Sequence, residues 1–307
     1  MGKITEPIVV EIAPNTYHIN EFGIDNQYLL VGDERALVID TGSGLYDMKK
    51  LIAKLTDKPY DVVVTHLHGD HNGGSNQFEE VWMHPLDIEW LPPVATTEQM
   101  RWKAMRMEEI SRENREHYDG TGWPSYEEIF PYDTVDILER EKKCRYLELQ
   151  DRQVFELGNR KVEVFHTPGH TRGSVSLLDY KRRILFSGDA MNFNVGTRSV
   201  GGPYSGVAVS TMLRGLLRIV EQRPYFDQTF TGHCNYANQI NTISQPDDVL
   251  DDIIENLRRI LRGTAEIIDR PSHLKPDLIM KTAMYGKAAT IFNEDLLWEE
   301  GEEHIIP

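Results

Sequence analysis

The chain has 307 residues, 40% of them hydrophobic and 27% charged, an ordinary globular composition with length enough for one large domain or two small ones. Acidic residues outnumber basic ones by 49 to 33, and the resulting net charge of −16 repels a phosphate backbone, so no nucleic-acid partner is expected. No apolar run approaches the roughly 18 residues of a membrane span, the N-terminus lacks a secretory core, and Cys144 and Cys234 stand far apart; the expected compartment is cytoplasmic, with no membrane partner.

The first predicted elements are short strands, IVVEI from Ile8, TYHIN from Thr16, QYLLVG from Gln27 and RALVID from Arg35. The last runs into Asp40-Thr41-Gly42-Ser43-Gly44, a glycine-rich turn before a helix predicted near 45–55. Asp40 is a carboxylate at a buried strand end; it either caps the turn or braces a neighbouring metal loop. The next stretch, DVVVTHLHGDHNGG from Asp61 to Gly74, opens with a β-branched run and then carries His66, His68, Asp70 and His71 within six residues. Three imidazoles this close repel one another on protonation unless a cation sits among them. Neutral imidazole with carboxylate is a ligand set for zinc, with iron or manganese as alternatives. A merely histidine-rich polar loop is the plainer reading, and it leaves the spacing unexplained.

A short helix is predicted over 72–79 and a strand around Val81. Residues 85–143 then interrupt the alternation and read as a helical cap insertion, with a helical run from Thr97 to about His117. Met100, Ala104 and Met107 share one face of that run; it either packs in a core or, with Trp102, lines a substrate pocket. Strands return at CRYLELQ from Cys144, VFELG from Val154, KVEVFHT from Lys161, SVSLLDY from Ser174 and RILFSGD from Arg183. A helix follows from Ser210 to Glu221, then QTFTGH from Gln228 as strand and loop. Residues 245–307 read as a C-terminal helical extension, opening with an amphipathic helix through Val249, Ile253, Leu257 and Ile260 between Pro246 and Gly263. The stretch from Ala283 to Trp298 is either an added edge strand or a subunit contact, which leaves a homo-oligomer open.

Three further turns each place one donor after a strand: His170 in TPGHTRGS, Asp189 in FSGDA and His233 in TGH. Each is weak alone. Together with the HxHxDH loop, their order resembles the metallo-β-lactamase superfamily from Asn15 to His233, in its glyoxalase II and lactonase-like branch. The resemblance implies an α+β fold, a four-layer αββα sandwich with metals at one edge between the sheets, and the chain is read as a single domain over 1–307. It implies that His66, His68 and His170 hold one metal, that Asp70, His71 and His233 hold the second, and that Asp189 bridges them.

Two zinc ions so held generate hydroxide near neutral pH. The expected reaction is hydrolysis of an ester, thioester or lactone of a small organic molecule, with Asp70 as the catalytic carboxylate. The alternatives are a β-lactam hydrolase, a mononuclear-iron persulfide dioxygenase and a binding protein without activity. The tyrosine that many lactonases of the family carry just after the bridging aspartate is missing, since Ala190, Met191, Asn192 and Phe193 follow Asp189. Asn192, Tyr204 and Tyr236 join Trp102 as candidate substrate contacts.

Overall fold

A strand that is apolar on both faces must be covered on both sides, and this property of β4 (Ala36–Ile39) and β5 (Tyr60–Val63) sets the architecture. Leu37, Ile39 and Val63 enter one apolar cluster, while Ala36, Val38 and Val62 enter another on the opposite face. In the computed structural model, which describes residues 7–21, 25–93, 98–99, 144–197, 206–233, 242–271, 277 and 279–307, these strands lie inside a seven-stranded sheet. Its order is β1 (Ile8–Ala13), β2 (Thr16–Glu21), β3 (Asp25–Val31), β4, β5, β6 (Glu80–Met83) and β7 (Arg145–Glu148). Pairing is antiparallel from β1 to β4 and parallel from β4 to β7.

The second sheet has five strands in the order β13 (Gln228–Phe230), β11 (Ile184–Phe186), β10 (Val175–Asp179), β9 (Lys161–His166) and β8 (Val154–Glu156). Val162, Val164, Val175 and Leu177 join Leu37 and Ile39 in the layer between the sheets. Phe165 and Leu178, one residue out of phase, turn to the far side and meet α3 (Val209–Val220) and α4 (Asp248–Arg262). On the other flank α1 (Met48–Leu55) lays Met48, Leu51 and Ile52 on the first sheet. Helix, sheet, sheet, helix is the αββα sandwich expected from the sequence.

Two predicted elements differ. The helix over 72–79 is only a 3-10 turn, Ser75–Gln77. Gly73 and Gly74 crowd the backbone of Ser43 and Thr41, where an added Cβ would lie 2.3 Å from each carbonyl oxygen, and this close approach leaves no room for regular helix with side chains. Residues 245–307 are not a purely helical extension. Helix α4 ends at Gly263, φ 69°, and three strands follow, β14 (Glu266–Pro271), β15 (Ile279–Tyr285) and β16 (Ala288–Phe292). With β12 (Asn194–Gly196) they form a separate four-stranded sheet, β12-β16-β15-β14. Small residues let it sit close under α4, and Asn256 of that helix donates to the Ala283 carbonyl at 2.9 Å and to Thr290 Oγ1 at 3.1 Å. Of the cap segment, α2 (Pro85–Ile88) is described; Trp102 and almost all of the Thr97–His117 run lie outside the described residues. No helix among the described residues is long and apolar enough to cross a membrane.

Candidate metal centre

The donors arrive on loops at the C-terminal ends of β5 in the first sheet and of β9, β11 and β13, which share one direction, in the second; Asp40 follows β4, which runs parallel to β5. Backbone bonds tie the sheets together at that end. Val175 N donates to Thr65 O at 2.9 Å, and Asn26 N donates to Gly232 O at 2.8 Å.

Seven side chains predicted as ligands converge there. Three sets of donor atoms lie within 4.8 Å of one another: His66, His68 and His170; His66, His71 and Asp189; and Asp70, His71 and His233. His68 Nδ1 is 2.9 Å from His170 Nε2, and His71 Nε2 is 3.4 Å from His233 Nε2. Asp189 stands between the two groups, with Oδ2 3.3 Å from His170 Nε2 and 3.1 Å from His233 Nε2, and Oδ1 3.5 Å from His71 Nε2. Asp70 Oδ2 is 3.5 Å from His233 Nε2. Gly232 makes room for this packing, because a Cβ there would lie 2.3 Å from Asp189 Oδ1 and 2.7 Å from the His71 ring.

The chemistry of the cluster calls for a cation. Among the described residues, His66 Nε2 and Asp189 Oδ1 are buried without a hydrogen-bond partner. Burial pushes His66 well down, with His71 adding to it; burial and then His170 push His68 down to about 3. Both are therefore neutral and carry lone pairs for a metal. Burial works against a charge on His71, but Asp189, Asp70 and Asp40 outweigh it and raise its pKa to about 9. Burial likewise opposes ionisation of Asp70 and Asp189. His71, His233 and His68 nonetheless lower Asp70 to about 2, and His233 and His71 hold Asp189 well below the usual carboxylate range. A divalent ion would supply the positive charge that these carboxylates draw onto His71, so the residues fit the group they were predicted to hold.

The free ring nitrogens are aimed by acceptors behind them. His170 Nδ1 donates to the Gly196 carbonyl at 3.1 Å, and His71 Nδ1 donates to Asp40 Oδ2 at 2.9 Å. Asp40 also accepts from Thr65 N at 2.6 Å and Thr65 Oγ1 at 2.9 Å. Of its two sequence readings, the brace of the donor loop is the one these contacts favour. Asn192 is buried in the turn after Asp189, and Tyr204 and Tyr236 lie outside the described residues, as Trp102 does. Sequence reasoning missed Asn26, whose side-chain amide donates to the carbonyls of Thr231, at 3.2 Å, and of His233. It also missed Asp87, buried between two donor loops. Neither stands near a donor in sequence.

The sequence profile of the family described as "Metallo-beta-lactamase superfamily" matches residues 21–206. The protein named acyl-coenzyme A thioesterase MBLAC2 of Homo sapiens is 33% identical over 224 residues, covering 68% of this chain and 73% of that one. Its namesake in Gallus gallus is 31% identical over 219 residues, covering 68% and 72%. Among solved structures, a metallo-beta-lactamase from Pontibacter korlensis aligns with a TM-score of 0.51 over 82% of this chain and 99% of its own, at 16% identity, a likeness of fold alone.

Proposed function

Because the chain belongs to the metallo-beta-lactamase superfamily, we propose that it is a metal-dependent hydrolase that cleaves the thioester of an acyl group carried on a coenzyme A-like thiol. The observation that carries this reading is the identity with proteins named acyl-coenzyme A thioesterases over 68% of the chain. His66, His68 and His170 would hold one divalent ion, Asp70, His71 and His233 a second, and Asp189 both; zinc suits the set best, with iron or manganese as the alternatives. Ions held by these residues would supply Lewis acidity, lowering the pKa of a water to about 7 and polarising a carbonyl.

The chain's own residues favour a thioester. Asp70 is ionised at neutral pH, so it accepts a hydrogen bond and orients the attacking water but cannot protonate a leaving group. With the histidines committed as ligands, no group of the described cluster is left to act as an acid. A thiolate, whose conjugate acid has a pKa of about 8.5, departs without one more readily than an alkoxide or an amide nitrogen.

The test is thiol release from a series of acyl-coenzyme A substrates by the zinc-loaded chain. Release should stop on chelation, return with zinc and be abolished by His68→Ala. Undiminished release by demonstrably metal-free protein would refute the reading. So would oxygen consumption on a persulfide substrate with one iron per chain and no thioester cleavage.

A further inference from the structure

Asp87 is a wholly buried carboxylate that belongs to none of the donor sets. Burying such a group is costly unless its lone pairs are met, so its partners reveal what it is for. It sits in the single turn of α2, which His84 caps and Pro85 starts. All three partners here come from distant loops. Oδ2 accepts from Leu67 N at 2.8 Å, the peptide between His66 and His68. The same oxygen accepts from Thr171 Oγ1 at 2.8 Å, next to His170. Oδ1 accepts from Gly173 N at 2.7 Å.

The fit around this carboxylate is close. A Cβ on Gly173 would lie 2.7 Å from Asp87 Oδ1, so the turn after His170 approaches as only glycine permits. Thr171 is fixed in turn by Ser174, whose Oγ lies 2.8 Å from Thr171 Oγ1 and accepts from Thr171 N at 3.0 Å. The sequence positions joined this way are 20, 84 and 86 residues from Asp87, and the two loops joined are those that bring His68 Nδ1 and His170 Nε2 to 2.9 Å.

We propose that Asp87 is a positioning residue that straps the His66–His68 loop to the His170 loop and so sets the geometry of one metal half-site, leaving the Asp70, His71 and His233 half-site independent of it. The proposal rests on the two-metal reading and not on the thioester. An aspartate is required because every one of its three partners donates. Asparagine would turn an N–H toward at least one donor, and the strap would open on that side.

The experiment is a zinc titration against a competing chromophoric chelator, with far-UV circular dichroism and thermal unfolding run on the same samples. The unsubstituted chain should bind two zinc ions. Asp87→Asn should weaken one step by about 10–100-fold and leave the other unchanged. Thr171→Val, which removes one donor and spares the carboxylate, should weaken the same step less, and Thr171→Ser, which keeps the hydroxyl, should restore it. If Asp87→Asn does not fold, the Thr171 pair carries the test alone. Both steps unchanged, or both weakened equally, in folded variants would overturn the proposal, as would an unsubstituted chain that binds no zinc. Only that last outcome would also refute the two-zinc form of the metal reading, and none of them bears on which ester is cleaved.

Discussion

At Asp40 the backbone takes φ 63°, a left-handed conformation that aspartate tolerates better than most side chains, and its carboxylate accepts from His71 and twice from Thr65. Such residues, not the ligands, are where the sequence is hard to read. The HxHxDH run declares itself because its donors are rare residue types at short spacing. Asp40, Asn26 and Asp87 are common residues whose roles depend on partners 20 to 207 positions away. His18 is a further buried polar residue whose role no motif announces. It is fully buried, its Nε2 donates to Asn26 Oδ1 at 2.8 Å, and burial pushes its pKa down to about 4 against the raising effect of that bond. An unfolded histidine titrates near 6.5. Between about 6.5 and about 4 the unfolded chain therefore binds a proton that the folded chain refuses, and stability falls as pH falls through that window, by about 3 kcal/mol in all from this group. Urea unfolding followed from about pH 7.5 to about pH 4.5 should give a steeper loss in the parent than in His18→Gln. Parallel curves would contradict the assignment.

Strand β9 and its neighbours illustrate what decides an element. In KVEVFH, β9, apolar and polar residues alternate over the first four positions, and in the fold Val162 and Val164 enter the sandwich interior while Phe165 turns to α3 and α4. The C-terminal strands were harder. Ala283 and Ala288 give a weak apolar signal, because they sit in the cluster packed against α4 and their small size lets the helix approach closely, a tertiary demand with no local pattern. The turn before β9 carries another contact invisible in sequence. Arg160, buried, forms a salt bridge with the buried Asp179 at 2.5 Å and donates to Asn15 O and Thr16 Oγ1, each at 2.8 Å, so it clamps the β1–β2 turn onto the second sheet. Arg160→Ala leaves that carboxylate buried and unpaired, and chemical denaturation should register a loss of about 3–5 kcal/mol. A loss under about 1 kcal/mol would mean that water reaches Asp179 and the clamp is not structural.

Across the whole molecule, four strand ends from two sheets, β5, β9, β11 and β13, deliver the seven candidate donors to one edge, and the packed sandwich interior holds those strand ends together. The fold and the convergence of the seven side chains were legible together because the motifs that carry them stand after strands in the order of the family they resemble, so one pattern reports both. The candidate contacts beyond the seven side chains, Trp102, Tyr204 and Tyr236, fall in segments outside the described residues. The proposed hydrolysis depends on the seven side chains taking two ions. Crystals grown with zinc and measured on both sides of its absorption edge test this most directly. Two anomalous peaks are predicted, one about 2.0–2.2 Å from nitrogens of His66, His68 and His170, and one at the same distance from donors of Asp70, His71 and His233. A map with no peak inside the cage, or with a single peak held by fewer than three of these side chains, would contradict it.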